Sequence, residues 1–139
     1  MNLTPDQICW NGRFPQPSTS DDPSDFVNFN TGKDILVTGA GGSIGSAPAK
    51  TIHRFRPRCL LLIDASEQAL YRIYSDLSRA GSQCHVPMLG SIADERCLRD
   101  TFQSRRPEII YNAGAFKHVP LTEMNSFAVV HNNVLAMSW

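Results

Sequence analysis

The sequence has no excess of either charge. Thirteen Lys and Arg stand against thirteen Asp and Glu in 139 residues, for a formal net charge of zero. A nucleic-acid partner ordinarily leaves a basic footprint, so none is expected here. No apolar run approaches the ~20 residues that cross a bilayer, and no membrane segment is expected in this chain. The opening MNLTPDQICW lacks a charged stretch followed by an apolar one, so it does not read as a secretory signal and a cytoplasmic location is expected. None of Cys9, Cys59, Cys84 and Cys97 forms a Cys-x-x-Cys pair. Reduced, buried thiols are expected rather than a disulfide framework. His53, His85, His118 and His131 are scattered without metal-ligand spacing, so no metal site is expected. No Gly-Lys-Ser/Thr follows the first glycine of the cluster at 39–45, which excludes a Walker phosphate loop.

What is present is a regular alternation. Residues 1–33, with GRFPQPSTSDDPSD, are rich in Pro, Ser and Asp and have no period. They read as a linker or loosely ordered arm. From Asp34 the apolar runs DILVT, CLLLID, QCHVPML and EIIYNAG read as strands. Between them lie helical patterns. The first has Ile44, Ala47, Ile52 and Phe55 on one face, with a start near Ser43. The second has Leu70, Ile73 and Leu77 and stops at Gly81, a C-terminal signal. The third is capped by Asp94 and ended by Pro107. VPLTEMN and FAVVHNNVLAMSW then read as a short helix and the start of a longer one. Strand-helix alternation with short links predicts an α/β fold, a doubly wound parallel sheet covered on both faces. Continuously apolar strands suit burial on both sides.

The turn after the first strand, TGAGGSIG, spaces Gly39, Gly42 and Gly45 three apart, with Gly41 extra. A tight strand-to-helix turn needs positive φ, which glycine adopts readily. Missing side chains would leave room for a pyrophosphate, held by the amides and dipole of the following helix. Gly45 would bring helix and sheet close together. Asp64 ends the second strand about 20 positions farther on, where a dinucleotide fold uses an acid to hold the adenosine ribose. A carboxylate there would repel a 2′-phosphate, so NAD is favoured over NADP. Asp64 could equally cap the next helix, with Ser66 competing for that role.

TGAGGSIGS, LLIDASEQALYRI and YNAGAFKHVPLTEMN together resemble the extended short-chain dehydrogenase/reductases. The likeness is to their CapD-like polysaccharide biosynthesis group, which includes nucleotide-sugar 4,6-dehydratases acting on UDP-N-acetylglucosamine. It runs from about Lys33 to Leu135, so 34–139 is expected to be an NAD(P)-binding Rossmann-like domain, incomplete at its C-terminus. The resemblance implies that Gly39, Gly42, Ser43, Ile44 and Gly45 face the pyrophosphate and that Asp64, Ala65 and Ser66 surround the adenosine ribose. It implies Ser91 and Ile92 beside the adenine, and Ala113, Gly114 and Ala115 along the cofactor channel. Lys117 and Asn132 would lie near the nicotinamide half. A solvated charge is the plain alternative for Lys117, and a polar helix face for Glu123.

The sequence departs from that group at several places. Ala47-Pro48 replaces Glu-Leu, and a proline beyond the first helical turn would remove an N–H and can kink the helix. Ser91 stands where the group has Asp. The group's hydride-transfer and dehydration residues lie beyond this sequence, so no catalytic residue is assigned and no turnover is expected from the chain alone. It reads as the cofactor-binding N-terminal portion of a nucleotide-sugar dehydratase or epimerase, with a nucleotide sugar as the complete enzyme's partner. A non-catalytic dinucleotide-binding or interaction module is the other reading. An uncovered sheet edge would favour homo-oligomers or aggregation.

Overall fold

The structure, a computed structural model, describes residues 23–81, 84–116 and 119–134. Helix α1 (Pro23–Asn30) precedes β1 (Asp34–Thr38), α2 (Ser46–Arg54), β2 (Cys59–Asp64), α3 (Glu67–Ala80) and β3 (His85–Leu89). Then come α4 (Glu95–Arg105), β4 (Ile109–Asn112), α5 (Val119–Met124) and α6 (Ser126–Asn133). The four strands form one parallel sheet in the order β3-β2-β1-β4. Two crossovers move outward from β1 to β3, and the third jumps back across β1. This is the Rossmann-like, doubly wound arrangement, and its direction reverses between β1 and β4. Ligands of such sheets bind beyond the carboxyl ends of the strands at that switch point.

β1 and β2 are central, and their apolar runs are buried on both faces. Ile35, Val37, Leu60 and Leu62 pack on one side with Ala49 and Ile52 of α2 and Leu70, Ile73 and Leu77 of α3. Leu36, Leu61 and Ile63 pack on the other with Leu98 of α4. The expected burial on both sides does not extend to the flanks. β3 and β4 alternate between half-buried and exposed positions, and Ile110 is 48% exposed. Each pairs with a single neighbour among the described residues. The edge position also accommodates Pro87, whose missing N–H is not needed on the side away from β2.

Two local expectations are corrected. The second element's helix begins at Ser46 rather than near Ser43, so Ile44 lies in the preceding turn and is exposed. The buried face of α2 is Ala49, Ile52 and His53. Pro48 is therefore the third helical residue, within the first turn. The first four amides of a helix have no intrahelical acceptor, so Pro48 removes no ladder bond. α3 stops before Gly81 as expected, but Gly81 has φ 163°, an extended conformation rather than a left-handed cap. α4 follows its signals: Arg96 and Cys97 amides donate to Asp94 Oδ1 at 3.0 and 3.3 Å.

Residues 23–30, inside the segment read as an arm, are helical and tied to the sheet. Asn30 is buried, and Tyr111 donates its hydroxyl to Asn30 Oδ1 at 2.8 Å. Phe26 meets the rings of Phe55 and Tyr111 edge-on. Residues 1–22 lie outside the described residues.

The N-terminal edge of the sheet is cross-linked several times. Arg58 donates to both Asp34 oxygens, at 2.8 and 2.6 Å, and to Glu108 at 3.2 Å, which Lys33 also reaches at 2.8 Å. The hydrogen bond from Arg58 holds the Asp34 carboxyl below its ordinary pKa, and the bond from Lys33 does the same for Glu108. Cys59 and Cys84 are joined by a disulfide, with Cα atoms 4.6 Å apart. This corrects the expectation of reduced thiols. Leu60 pairs with His85 across β2 and β3, and the Leu60 amide donates to Cys84 O at 2.9 Å, so the register sets the two cysteines side by side. Next to that bond, His53 Nδ1 and His85 Nε2 are 2.9 Å apart.

The disulfide closes a loop with a sequence separation of 25, and such a loop restricts the unfolded chain by roughly 3 kcal/mol. Cys84→Ser should therefore lower the unfolding free energy by about that amount, read as a shift of the urea midpoint. Reductant should shift the wild type similarly and leave the variant unmoved. His85 holds a proton less readily than a free imidazole, first because burial opposes the charge and second because His53 does. Its contribution is complete above the free imidazole value, about 6.5, and is lost as pH falls through the lowered folded value. Melting temperature should fall as pH drops from about 7.5 to 5.5, and His85→Gln should flatten that slope. Equal slopes in the two proteins would contradict the assignment.

Candidate functional site

The carboxyl ends of the strands meet at the glycine turn. After Thr38 the chain enters the left-handed region at Gly39, with φ 59°. A Cβ at Gly39 would lie 2.6 Å from Ala113 O and 2.8 Å from Gly114 Cα. A Cβ at Gly41 would overlap the backbone and side chain of Ala69 in α3. One at Gly45 would overlap Gly39 O. Only at Gly42 is the nearest atom, Gly39 O, as far as 3.2 Å. Protein atoms, rather than open space, stand where side chains at Gly39, Gly41 and Gly45 would lie. At Gly39, Gly41 and Gly45 the missing side chains let the turn fold onto itself, α3 and the loop after β4. The edge formed by Gly42, Ser43 and Ile44 is exposed.

That edge leads into the start of α2. Gly45 is the N-cap and no side chain caps the helix. The Gly42 amide donates to Gly39 O at 3.0 Å and the Ser46 amide to Gly42 O at 3.0 Å. Among the described residues, the amides of Ile44 and Gly45 donate to no backbone carbonyl. Helix N-termini with such amides favour anions through the free donors and the aligned peptide dipoles.

Asp64 stands at the end of β2, half-buried, and its carboxylate spans two loops. Oδ2 accepts from the Gly41 amide at 2.8 Å and Oδ1 from the Ser66 amide at 2.9 Å. The cap of α3 is Ser66, whose Oγ accepts from the Ala69 amide at 3.3 Å. The choice between the two possible caps is thereby resolved in favour of Ser66. Asp64 is freed from capping and braces the glycine turn. Ala65 and Ser66 are exposed beside it.

The loops after β3 and β4 complete the rim. The Gly90 amide donates to Asp64 O at 3.0 Å, and the Ala113 amide to Thr38 O at 3.2 Å. Ser91 Oγ accepts from the Ala93 amide at 3.1 Å, shaping its own loop. Ile92 is buried, and its Cδ1 lies 3.0 Å from where a Gly114 Cβ would be. Asn112 Oδ1 takes hydrogen bonds from Thr38 Oγ1 and, at 3.2 Å, from the Gly114 amide. Asn132 is buried and donates to Gly114 O at 2.8 Å. Its amide nitrogen thus holds the β4 loop. Ala115 is exposed on that loop. Lys117 and His118 lie outside the described residues.

Thr38, Asn112 and Asn133 have no place in the sequence reading of the site, and Gly41 appears there only as an extra glycine. Asn133 clamps Phe116 through two bonds, donating to its carbonyl at 2.9 Å and accepting from its amide at 2.8 Å. The paired asparagines of HNNV were the available signal.

Residues 35–139 match the profile of a family described as polysaccharide biosynthesis protein. The chain belongs to that family. It is 36% identical over 107 residues to the capsular polysaccharide biosynthesis protein CapD of Staphylococcus aureus, covering 76% of this chain and 18% of that protein. It is 38% identical over 118 residues to the probable polysaccharide biosynthesis protein EpsC of Bacillus subtilis, covering 82% and 19%. A UDP-N-acetylglucosamine 4,6-dehydratase (inverting) of Campylobacter jejuni is 28% identical over 107 residues, covering 76% and 30%. The chain thus spans about a fifth to a third of the length of these relatives. Among solved structures, the UDP-Glc/GlcNAc 4-epimerase of Campylobacter jejuni superposes with a TM-score of 0.67 at 18% identity, covering 77% of this chain and 32% of that one. A UDP-glucose-4-epimerase of Stenotrophomonas maltophila, solved with bound NAD, superposes with a TM-score of 0.62 at 17% identity, covering 76% and 31%. Both share the fold. Among the described residues, no helix of this family member is long and apolar enough to cross a membrane.

The glycines should differ in tolerance. Gly39→Ala combines a left-handed backbone, worth roughly 1–3 kcal/mol, with a clash against Ala113. Gly42→Ala meets one atom, Gly39 O, at 3.2 Å, with no left-handed backbone to add, and should cost less than Gly39→Ala. Urea unfolding of both variants checks the order.

Proposed function

We propose that this chain is the dinucleotide-holding part of a nucleotide-sugar-processing enzyme of polysaccharide biosynthesis, and that the dinucleotide is NAD. The observation that carries the reading is the Asp64 carboxylate braced against the Gly41 amide, beside a capless helix start at the switch point of a parallel sheet. The residues fit such a ligand. The turn offers exposed backbone at Gly42, Ser43 and Ile44 with donors at Ile44 and Gly45, which suits a diphosphate. Asp64 has acceptor capacity left beyond its two amide bonds, which suits ribose hydroxyls. Its negative charge disfavours a 2′-phosphate at the same place.

In this reading Gly39, Gly42, Ser43, Ile44 and Gly45 bind the pyrophosphate, and Asp64, Ala65 and Ser66 bind the adenosine ribose. Ser91 and Ile92 flank the adenine. Ala113, Gly114 and Ala115 form the channel wall, which Asn132 supports through Gly114. Lys117 is assigned to the nicotinamide half by the family resemblance alone. When bound, NAD supplies the hydride acceptor and donor for the redox part of nucleotide-sugar chemistry. The protein binds and orients it. UDP-N-acetylglucosamine is the substrate suggested for the whole enzyme by the dehydratase relative, and a cytoplasmic location goes with this reading.

Calorimetric titration of NAD and NADP into wild type and Asp64→Asn tests the assignment. Asparagine keeps one acceptor for the loop amides and removes the charge. Losing a hydrogen bond to a charged acceptor costs about 1.5–3 kcal/mol, so NAD affinity should fall at least about tenfold while NADP affinity stays level or rises. Unchanged NAD binding in a folded variant, or tighter binding of NADP by wild type, would sink the reading.

A further inference from the structure

In a parallel sheet the crossover helices run back, so their C-terminal ends lie at the far end from the glycine turn. There the ends of α2 and α3 enclose a groove with a volume of about 570 Å³. Lys50, His53, Arg54, Arg56, Asp76 and Arg79 line it. Lys50 and Asp76 pair across it at 2.8 Å, and the Asp76 carboxylate also attracts Arg79. Arg54, Arg56 and Arg79 have no salt-bridge partner among the described residues. In a chain with no net charge, three such guanidinium groups in one groove are a local concentration of positive charge.

Helix dipoles account for part of this. Arg54 and Arg79 stand in the last turns of α2 and α3, where cations are favoured. Arg56 lies beyond the helix, with φ 53°, a conformation that glycine or asparagine would adopt at lower cost. Its amide donates to His53 O at 3.2 Å, and its carbonyl accepts from the Gly32 amide at 3.2 Å. A long cationic side chain is thereby held at a strained position on the groove's rim.

His53 is the second observation. It is only 6% exposed, yet lines the groove. Nδ1 is engaged with His85, while Nε2 sits over Gly81, 3.7 Å from where a Cβ would be. Nε2 has no hydrogen-bond partner among the described residues. A buried polar atom without a partner calls for one.

We propose that this groove is a second anion site, separate from the glycine turn, which takes a small phosphate-bearing ligand. Guanidinium forks match phosphate oxygens and are weakly hydrated, and His53, with one ring nitrogen unpartnered among the described residues, lines the same groove. The Lys50–Asp76 pair forms a wall rather than a ligand contact.

The test is a titration of the isotope-labelled full chain with inorganic pyrophosphate, followed by NMR. Wild type is compared with a variant carrying Arg54→Gln, Arg56→Gln and Arg79→Gln. Saturable shifts are expected at residues 50–56 and 76–81, with Kd at least tenfold weaker in the variant. The response of residues 39–45 should be the same in both. Arg56→Gly serves as a second variant, because it relaxes the backbone: it should melt no lower than wild type and still weaken the groove's response. Shifts confined to the glycine turn, non-saturable shifts, or an unchanged Kd in folded variants would overturn the proposal. Binding to phosphatidylglycerol vesicles without any groove response to pyrophosphate would overturn it too.

Discussion

The site depends on one close approach, that of Gly39 to the Ala113–Gly114 backbone. β1 and β4 lie side by side as parallel neighbours, and the chain leaves both strands at the same level. The turn after β1 must pass the loop after β4 with no room for a side chain between them. Once Gly39 is left-handed and pressed there, Gly45 must also be bare, because its own Cβ would strike Gly39 O. Gly41 is bare for a different neighbour, α3. The turn is therefore rigid because it is packed against protein on several sides. Rigidity of that kind is what a backbone anion site requires, since amides already held in place lose little freedom when they bind.

Asp64 connects this constraint to recognition. A carboxylate at the end of β2 could have capped α3, but Ser66 does so. Asp64 instead accepts from Gly41 and Ser66 and braces the turn from the second strand. In the proposed reading the same side chain braces the turn and also holds a ribose. In that reading a change at Asp64 acts on both, so removing its charge while keeping an acceptor is more informative than truncating it.

The two ends of the sheet are built differently. At the N-terminal edge a disulfide, a histidine pair and an ion network join neighbouring elements through side chains. At the carboxyl edge the joins are mostly backbone amides and glycines, with Asn112, Asn132 and Asn133 shaping the last loop. Cross-links at one end leave the other to be shaped by main chain, which can face a ligand closely.

What the sequence determined by itself is what repeats along the chain. The apolar runs of β1 and β2, the Leu70, Ile73 and Leu77 stripe of α3, the Asp94 cap and the stop before Gly81 are local patterns, each legible within a few residues. Their alternation was enough for a doubly wound sheet, and the glycine turn followed by Asp64 was enough to place the candidate site at its carboxyl edge. Tertiary structure alone decided what lies across from what. Cys59 meets Cys84, and His53 meets His85, only because β2 and β3 pair in one register. The glycines are bare for neighbours far along the chain. The groove lined by Arg54, Arg56 and Arg79 brings together residues from the ends of two helices separated in sequence. Register and helix placement follow from long-range packing of apolar faces, and no window of sequence contains both partners.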